Sequence, residues 1–254
     1  MVEMKQETIR KLFDINCLFY QSFGRAFAET RRRIQPGVRR VLDEWIDGGN
    51  WLDLGCGSGV LAVEWAKRGL SGSYLGLDFS KELLAEAQSN LSKVELQPGL
   101  TIAFAFADLA DESWPEAVGN RKMDGVLAFA SMHHIPGKEN RLRILRQVHE
   151  LLLPRGVFIH SEWQFQHSPK LMARVRPWSS VELTESELEE GDTLLDWRHA
   201  AIGQAETEGL RYVHLFSGAE LQELAKEAGF TIEREFASDG TGDRLGLYQL
   251  WRKA

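Results

Sequence analysis

Three glycines and one aspartate carry the most specific chemistry in this chain. Gly55, Gly57 and Gly59 sit in the stretch LDLGCGSG, directly after the apolar run Trp51, Leu52, Asp53, Leu54. Glycines so spaced permit a tight turn and clear side chains away from an approaching ligand. Val60, Leu61, Val63 and Trp65 have helical spacing, which predicts a helix over 60–68 whose first N–H groups face whatever lies over the turn. A second strand is predicted over 74–77, ending on Asp78, 23 residues after Gly55. An acid there can accept both hydroxyls of a ribose. The ligand implied is a nucleoside with an anionic or polar tail. A dinucleotide fingerprint would place a glycine at position 60, where Val60 stands. The bland alternative is an ordinary glycine-rich turn.

The adjacent pair His133–His134 is the next candidate. It follows a predicted fourth strand over 123–130, and ligands of open α/β sheets bind at such strand ends. Neighbours in an extended piece point apart, and no metal-spaced Cys, His, Asp or Glu accompanies the pair, so no metal is expected. One ring reads as structural and the other as a substrate contact.

The elements that must position these groups are legible in outline. Residues 1–49 are predicted mostly helical. Ile9, Leu12, Phe13, Ile15, Leu18 and Phe19 form one apolar face, Phe23, Phe27 and Ala28 a second piece, and 38–46 a third helix. Tyr20 and Phe23 either pack in the core or lid the ligand. Ser80 suits a helix N-cap. Alternation over 101–107 predicts a strand ending on Asp108. An amphipathic helix over 139–153 breaks at Pro154-Arg155-Gly156, and a fifth strand follows over 157–163. Residues 164–211 read as an insertion with a basic helix (Lys170, Arg174, Arg176), an acidic stretch and no clear core, either a substrate cap or a mobile surface loop. Ser217 with Glu220 fits a capping box. Strands over 230–236 and 245–251 close the chain as an antiparallel hairpin.

At 254 residues the chain suits one medium domain. No apolar run approaches the ~18 residues of a membrane span, and the N-terminus is polar, so no membrane partner is expected. Two cysteines, Cys17 and Cys56, make no disulfide framework, and the expected compartment is the cytoplasm. A net charge of −7 argues against non-specific nucleic-acid binding over the whole surface, though much of the acidity lies in 182–192.

The spelling LDLGCGSG resembles motif I of the class I S-adenosylmethionine-dependent methyltransferases, and LLLPRGVFIH is similar to a helix, turn and strand late in that fold, with Arg155 in place of a usual glycine. The resemblance implies an α/β, Rossmann-like fold: a mostly parallel twisted sheet, helices on both faces, and an antiparallel C-terminal hairpin. It implies a single methyltransferase domain, with 1–49 a helical lid, 50–163 the cofactor core, 164–211 the cap and 212–254 the closing elements. The cofactor is then S-adenosyl-L-methionine. Its methionine end is expected over Asp53, Gly55, Cys56 and Gly57, its ribose on Asp78 beside Phe79 and Ser80, and its adenine near Asp108 and Leu109. Tyr20 and Phe129 complete that wall.

Four stretches resemble one branch more narrowly: FYQSFGRAFAETRRRIQPGVRRVL, MHHI with RLRILRQVHELLLPRGVFIHSEW, GDTLLDWR, and RYVHLFSGAELQEL. That branch is the tRNA wobble-uridine carboxymethyl methyltransferases and their bacterial relatives. It implies methylation of a carboxylate, which is ionised near pH 7 and needs no general base, only a cation to hold it. Arg211 suits that role. His133, His134 and His214 are expected to donate hydrogen bonds, Tyr212 to wall the pocket, and Arg31 to lie near the cofactor carboxylate. The RYVH stretch reads equally as a strand packing on the sheet. Val213 departs from the branch, where a second tyrosine is usual. Eukaryotic members use a small protein activator. The acceptor is then a tRNA or a small-molecule carboxylate; a non-catalytic cofactor-binding protein is the third reading.

Overall fold

The computed structural model describes residues 4–29, 33–199 and 207–254. The chain begins with α1 (Gln6–Glu29) and α2 (Pro36–Glu44). It then alternates β1 (Gly49–Leu54), α3 (Val60–Lys67), β2 (Gly72–Asp78), α4 (Lys81–Leu91), β3 (Leu100–Phe106), β4 (Met123–Phe129), α5 (Lys138–Leu151) and β5 (Leu152–Trp163). A short α6 (Pro169–Met172) precedes β6 (Val175–Arg176), β7 (Asp192–His199) and β8 (Thr207–His214). The chain closes with α7 (Gly218–Glu227), β9 (Phe230–Ser238) and β10 (Gly246–Lys253).

Seven strands form the main sheet in the order β3-β2-β1-β4-β5-β10-β9. The first five run parallel; β10 pairs antiparallel with β5 and β9. Strand alternation sorts side chains between two cores. Leu52, Leu54, Val126, Ala128 and Phe158 face one; Trp51, Tyr74, Leu127 and Ile159 face the other. Both faces are covered, which is why these strands read as nearly continuous apolar runs. The order reverses between β1 and β4, so the crevice beyond their carboxyl ends is where this architecture binds ligands.

The N-terminal helix is one continuous element, although Gly24 and polar residues suggest two pieces. The segment after β5 departs further from expectation. Its basic helix shrinks to α6, and β6, β7 and β8 form a second, antiparallel sheet. That sheet has its own packing: Leu195 and Val213 meet Phe165, while Tyr212 meets Leu12, Leu183 and Leu188. The strand β8 spans the expected boundary at 211, so cap and closing elements are one piece of sheet. Ser217 caps α7 through Glu220 N–H at 3.1 Å, but the Glu220 carboxylate turns to His214 and Arg141 instead of returning to the cap. Among the described residues, no helix is long and apolar enough to cross a membrane.

Candidate active site

Two adjoining spaces open at the β1/β4 reversal. A cleft of about 390 Å³ runs over the glycine turn. A chamber of about 450 Å³ lies beside it, toward β5 and β8. Tyr20, Gly55, Cys56, Phe129, Ala130 and His134 border both. Ala130, at the end of β4, holds φ +53°, a sparsely populated conformation for a residue with a Cβ, of the kind found at functional sites.

The turn is built for close approach. Gly55 has φ +79°, and a Cβ there would lie 2.4 Å from Ser131 Oγ. Gly57 has φ +53° with nothing within 4 Å of a built Cβ, so its side opens onto the cleft. Asp78, at the carboxyl end of β2, accepts from Gly57 N–H at 2.8 Å and from Ser80 N–H at 2.9 Å. Burial raises its pKa, while those N–H groups oppose the rise. Each carboxylate oxygen has a second lone pair, which is what a diol needs. Phe79, Asp108 and Leu109 also line this cleft. Asp108 is exposed and accepts from Ala110 N–H at 2.9 Å.

Two of the expected cofactor residues sit elsewhere. Ser80 lines neither space: its hydroxyl caps α4 and its N–H holds Asp78, so it acts through the aspartate. Asp53 borders the chamber, not the cleft. Burial pushes its carboxyl up to about 7, with Tyr74 O–H donating to it and Asp78 adding repulsion. Arg31 lies outside the described residues. From α1, the side chains of Phe13, Asn16 and Cys17 join the cleft wall. Sequence reasoning missed them because a lid face and a core face carry the same apolar period.

The chamber gathers Arg211, His133, His134, Glu162 and Trp163. Arg211 is 4% exposed, its guanidinium 5.0 Å from the Phe19 ring and 5.4 Å from the Trp163 ring. The two histidines occupy a 3₁₀ turn (Met132–His134), not an extended piece, so their rings lie 4.5 Å apart. His134 bridges Tyr20 Oη at 3.0 Å and the Tyr212 carbonyl at 3.2 Å. His133 Nδ1 faces Glu162 Oε2 at 3.4 Å. Glu162 was missed although the strand over 157–163 was legible; alternation from buried Phe158 and His160 marks it as inward.

Tyr212 and His214 do not join the chamber. Successive strand residues point to opposite sides, so Arg211 and Val213 face one way and Tyr212 and His214 the other. Tyr212 donates to Asp192 at 2.8 Å. His214 stands 2.7 Å from Asp192 and 2.9 Å from Glu220, and these acids raise its pKa against the opposing effect of burial. Glu189, Asp192 and His214 bring three metal-capable groups within 4.8 Å, a cluster that linear spacing hides. Arg141, 1% exposed, supplies positive charge there: it lies 2.5 Å from Glu189 and 3.2 Å from Glu220.

The chain is similar to known proteins over most of its length. The "Probable tRNA methyltransferase 9B" of Bos taurus is 22% identical over 73% of this chain, which spans only 33% of that relative's length. The tRNA (carboxymethyluridine(34)-5-O)-methyltransferase of Schizosaccharomyces pombe is 23% identical, over 91% of this chain and 92% of its own. A solved S-adenosylmethionine-dependent methyltransferase from Clostridium acetobutylicum shares the fold, with a TM-score of 0.65 at 15% identity, covering 93% of this chain and 99% of that one. The model of the family described as "Methyltransferase domain" matches residues 26–235. A sheet reversing at β1/β4, a glycine turn under an acid-ended β2 and a match over that span place this chain in the methyltransferase domain family.

Proposed function

We propose that this chain transfers the methyl group of S-adenosylmethionine to a carboxylate oxygen, and that the carboxylate belongs to a modified wobble uridine of tRNA. The observation that carries this reading is the buried guanidinium of Arg211 at a chamber that adjoins the cofactor cleft and shares wall residues with it. The acceptor itself is taken from the name of the fission-yeast relative. In this reading α1 is the lid over the cofactor and the second sheet is the cap over the acceptor.

The cleft fits the cofactor on its own geometry. Asp78 would hold the ribose hydroxyls, Asp108 and Leu109 the adenine, and the bare backbone at Gly55 and Gly57 the methionine end. When bound, the cofactor supplies a methyl carbon on a sulfonium; the carboxylate oxygen forms the new C–O bond as the C–S electron pair leaves with sulfur. Arg211 grips the carboxylate, and its planar fork suits two oxygens. Phe19 and Trp163 hold that fork and exclude water. No proton has to be removed, so alignment is most of the catalysis.

Nucleoside mass spectrometry of tRNA from a deletion strain tests this. Loss of a methyl-ester uridine, restored by the gene, is expected; an unchanged nucleoside profile rejects the tRNA acceptor. Arg211→Ala is expected to lower turnover at least ~100-fold, the scale of losing a charged hydrogen-bonding partner, while cofactor affinity stays within about twofold. Equal loss of both would make Arg211 structural.

A small-molecule carboxylate is the second reading, and surface charge favours it. The net charge is −7, and several arginines of α2 and β6 are paired with acids. Arg39 lies 3.4 Å from Glu64, Arg40 3.0 Å from Glu44, and Arg176 2.6 Å from Asp196.

A further inference from the structure

A buried amide interrupts the apolar stripe of α1. Leu12 and Phe19 on that stripe are buried, and Asn16 between them is 5% exposed. A side-chain amide at a core position is costly unless its groups are bonded. Both of its ends are. Asn16 Oδ1 accepts the Tyr212 N–H at 2.9 Å, and Asn16 Nδ2 donates to the His134 carbonyl at 3.3 Å. One side chain thus joins α1 to β8 and to the turn after β4.

The sheet explains why Tyr212 is the residue held. β8 is an edge strand of the second sheet, so its outward N–H and C=O groups have no neighbouring strand. At Tyr212 side chains take both. Its N–H goes to Asn16, and its carbonyl meets His134 Nδ1 at 3.2 Å. A carbonyl only accepts, so Nδ1 carries the proton. His134 Nε2 lies 3.0 Å from Tyr20 Oη, which returns the contact to α1. The helix also lies close on the strand: a Cβ at Gly209 would come within 2.7 Å of the Phe23 ring. Arg211 precedes Tyr212, and its guanidinium rests against the Phe19 ring. So α1 holds both the backbone beside Arg211 and the ring under its side chain, while Asn16, Cys17 and Tyr20 wall the cofactor cleft.

We propose that Asn16 is a positioning residue for Arg211: it ties the wall of the cofactor cleft to the acceptor strand, so that cofactor and acceptor each raise the affinity of the other. The acceptor half rests on the carboxylate reading proposed above. A ligand in the cleft orders α1, and the Asn16 bond passes that order to Tyr212 and its neighbour. Coupling between two ligands is reciprocal, so one ratio measures it from either side. An amide that only covered the edge of β8 would stabilise the fold and leave that ratio at unity.

The test has two arms. The first needs no acceptor: amide hydrogen exchange with and without saturating S-adenosylhomocysteine. In the wild type the Tyr212 N–H is expected to slow by about tenfold or more beyond the β7 amides, which report overall stabilisation. In Asn16→Ala that excess is expected to vanish. Equal slowing of Tyr212 and β7 in the wild type, or an excess that survives in Asn16→Ala, overturns the proposal. If that variant fails to fold, the wild-type comparison still decides. The second arm reads the ratio of S-adenosylhomocysteine dissociation constants without and with tRNA bearing 5-carboxymethyluridine. A ratio of about fivefold or more is expected in the wild type, and one within about twofold of unity in Asn16→Ala, whatever that variant's absolute affinity. A ratio of unity with the tRNA bound to the wild type, or one that Asn16→Ala does not change, overturns the coupling. Failure of that tRNA to bind, with the first arm positive, rejects the named acceptor and leaves the Asn16 tie standing.

Discussion

Asp78 and Asp53 lie on adjacent strands at the same sheet end, yet they are expected to behave oppositely when removed. Asp78 receives backbone N–H groups from both the turn and the start of α4, so it is the hinge pin of the cofactor cleft. Asp78→Ala is expected to weaken S-adenosylmethionine binding at least tenfold, about 1.4 kcal/mol, by calorimetry; unchanged affinity would refute the ribose role. Asp53 is buried with a carboxyl raised to about 7. The folded chain therefore holds a proton that the unfolded chain releases near pH 4, and stability falls as pH rises through the window from about 4 to 7. Asp53→Asn removes that penalty. In denaturant titrations without ligand the stability advantage of the variant over the wild type is expected to grow by on the order of 2 kcal/mol between pH 5 and pH 8. A wild type equally stable at both pH values would mean that Asp53 ionises normally.

The parallel core was legible from the sequence because its turn chemistry is local: glycines, an N-cap serine and apolar strands lie within thirty or so residues of one another, in the short βαβ range. The second sheet was not. Its strand β6 is two residues long, and β7 and β8 pair across residues whose pattern, Leu194, Leu195, Asp196, Trp197, lacks clean alternation. The same strand rule explains the divided fate of the RYVH stretch. Reading Arg211, Tyr212 and His214 as one constellation ignores that a strand presents every second residue to a given side. Tyr212→Phe should therefore act on stability and spare chemistry. Losing its bond to buried Asp192 is expected to cost about 1–3 kcal/mol with kcat within twofold. A kcat loss without destabilisation would move Tyr212 back to the acceptor. Arg155 makes a second point at this scale. It holds φ +65°, a left-handed conformation that favours glycine, and Arg155→Gly is expected to raise stability by about 0.5–1 kcal/mol as relieved strain outweighs added chain freedom.

At the scale of the molecule, charge decides between acceptors. A tRNA bound through several phosphate contacts releases counterions, so log affinity should fall with log salt at about −0.7 to −0.9 per contact. A slope steeper than about −3 is expected for the tRNA reading between 50 and 200 mM salt. A slope near zero with retained turnover on a free carboxylate would favour the small-molecule reading, consistent with the paired cations on α2 and β6.

The wall common to cleft and chamber has a pharmacological consequence. Tyr20, Phe129 and His134 border both spaces, so one shared wall of side chains lies between where a nucleoside would lie and where an anion would lie. One compound carrying an adenosine and a carboxylate on a short tether would span the gap. Its second half would bind at the high effective concentration set by the tether, giving an inhibitor far stronger than either fragment. Lengthening that tether one methylene at a time would act as a ruler for the path that the migrating methyl crosses.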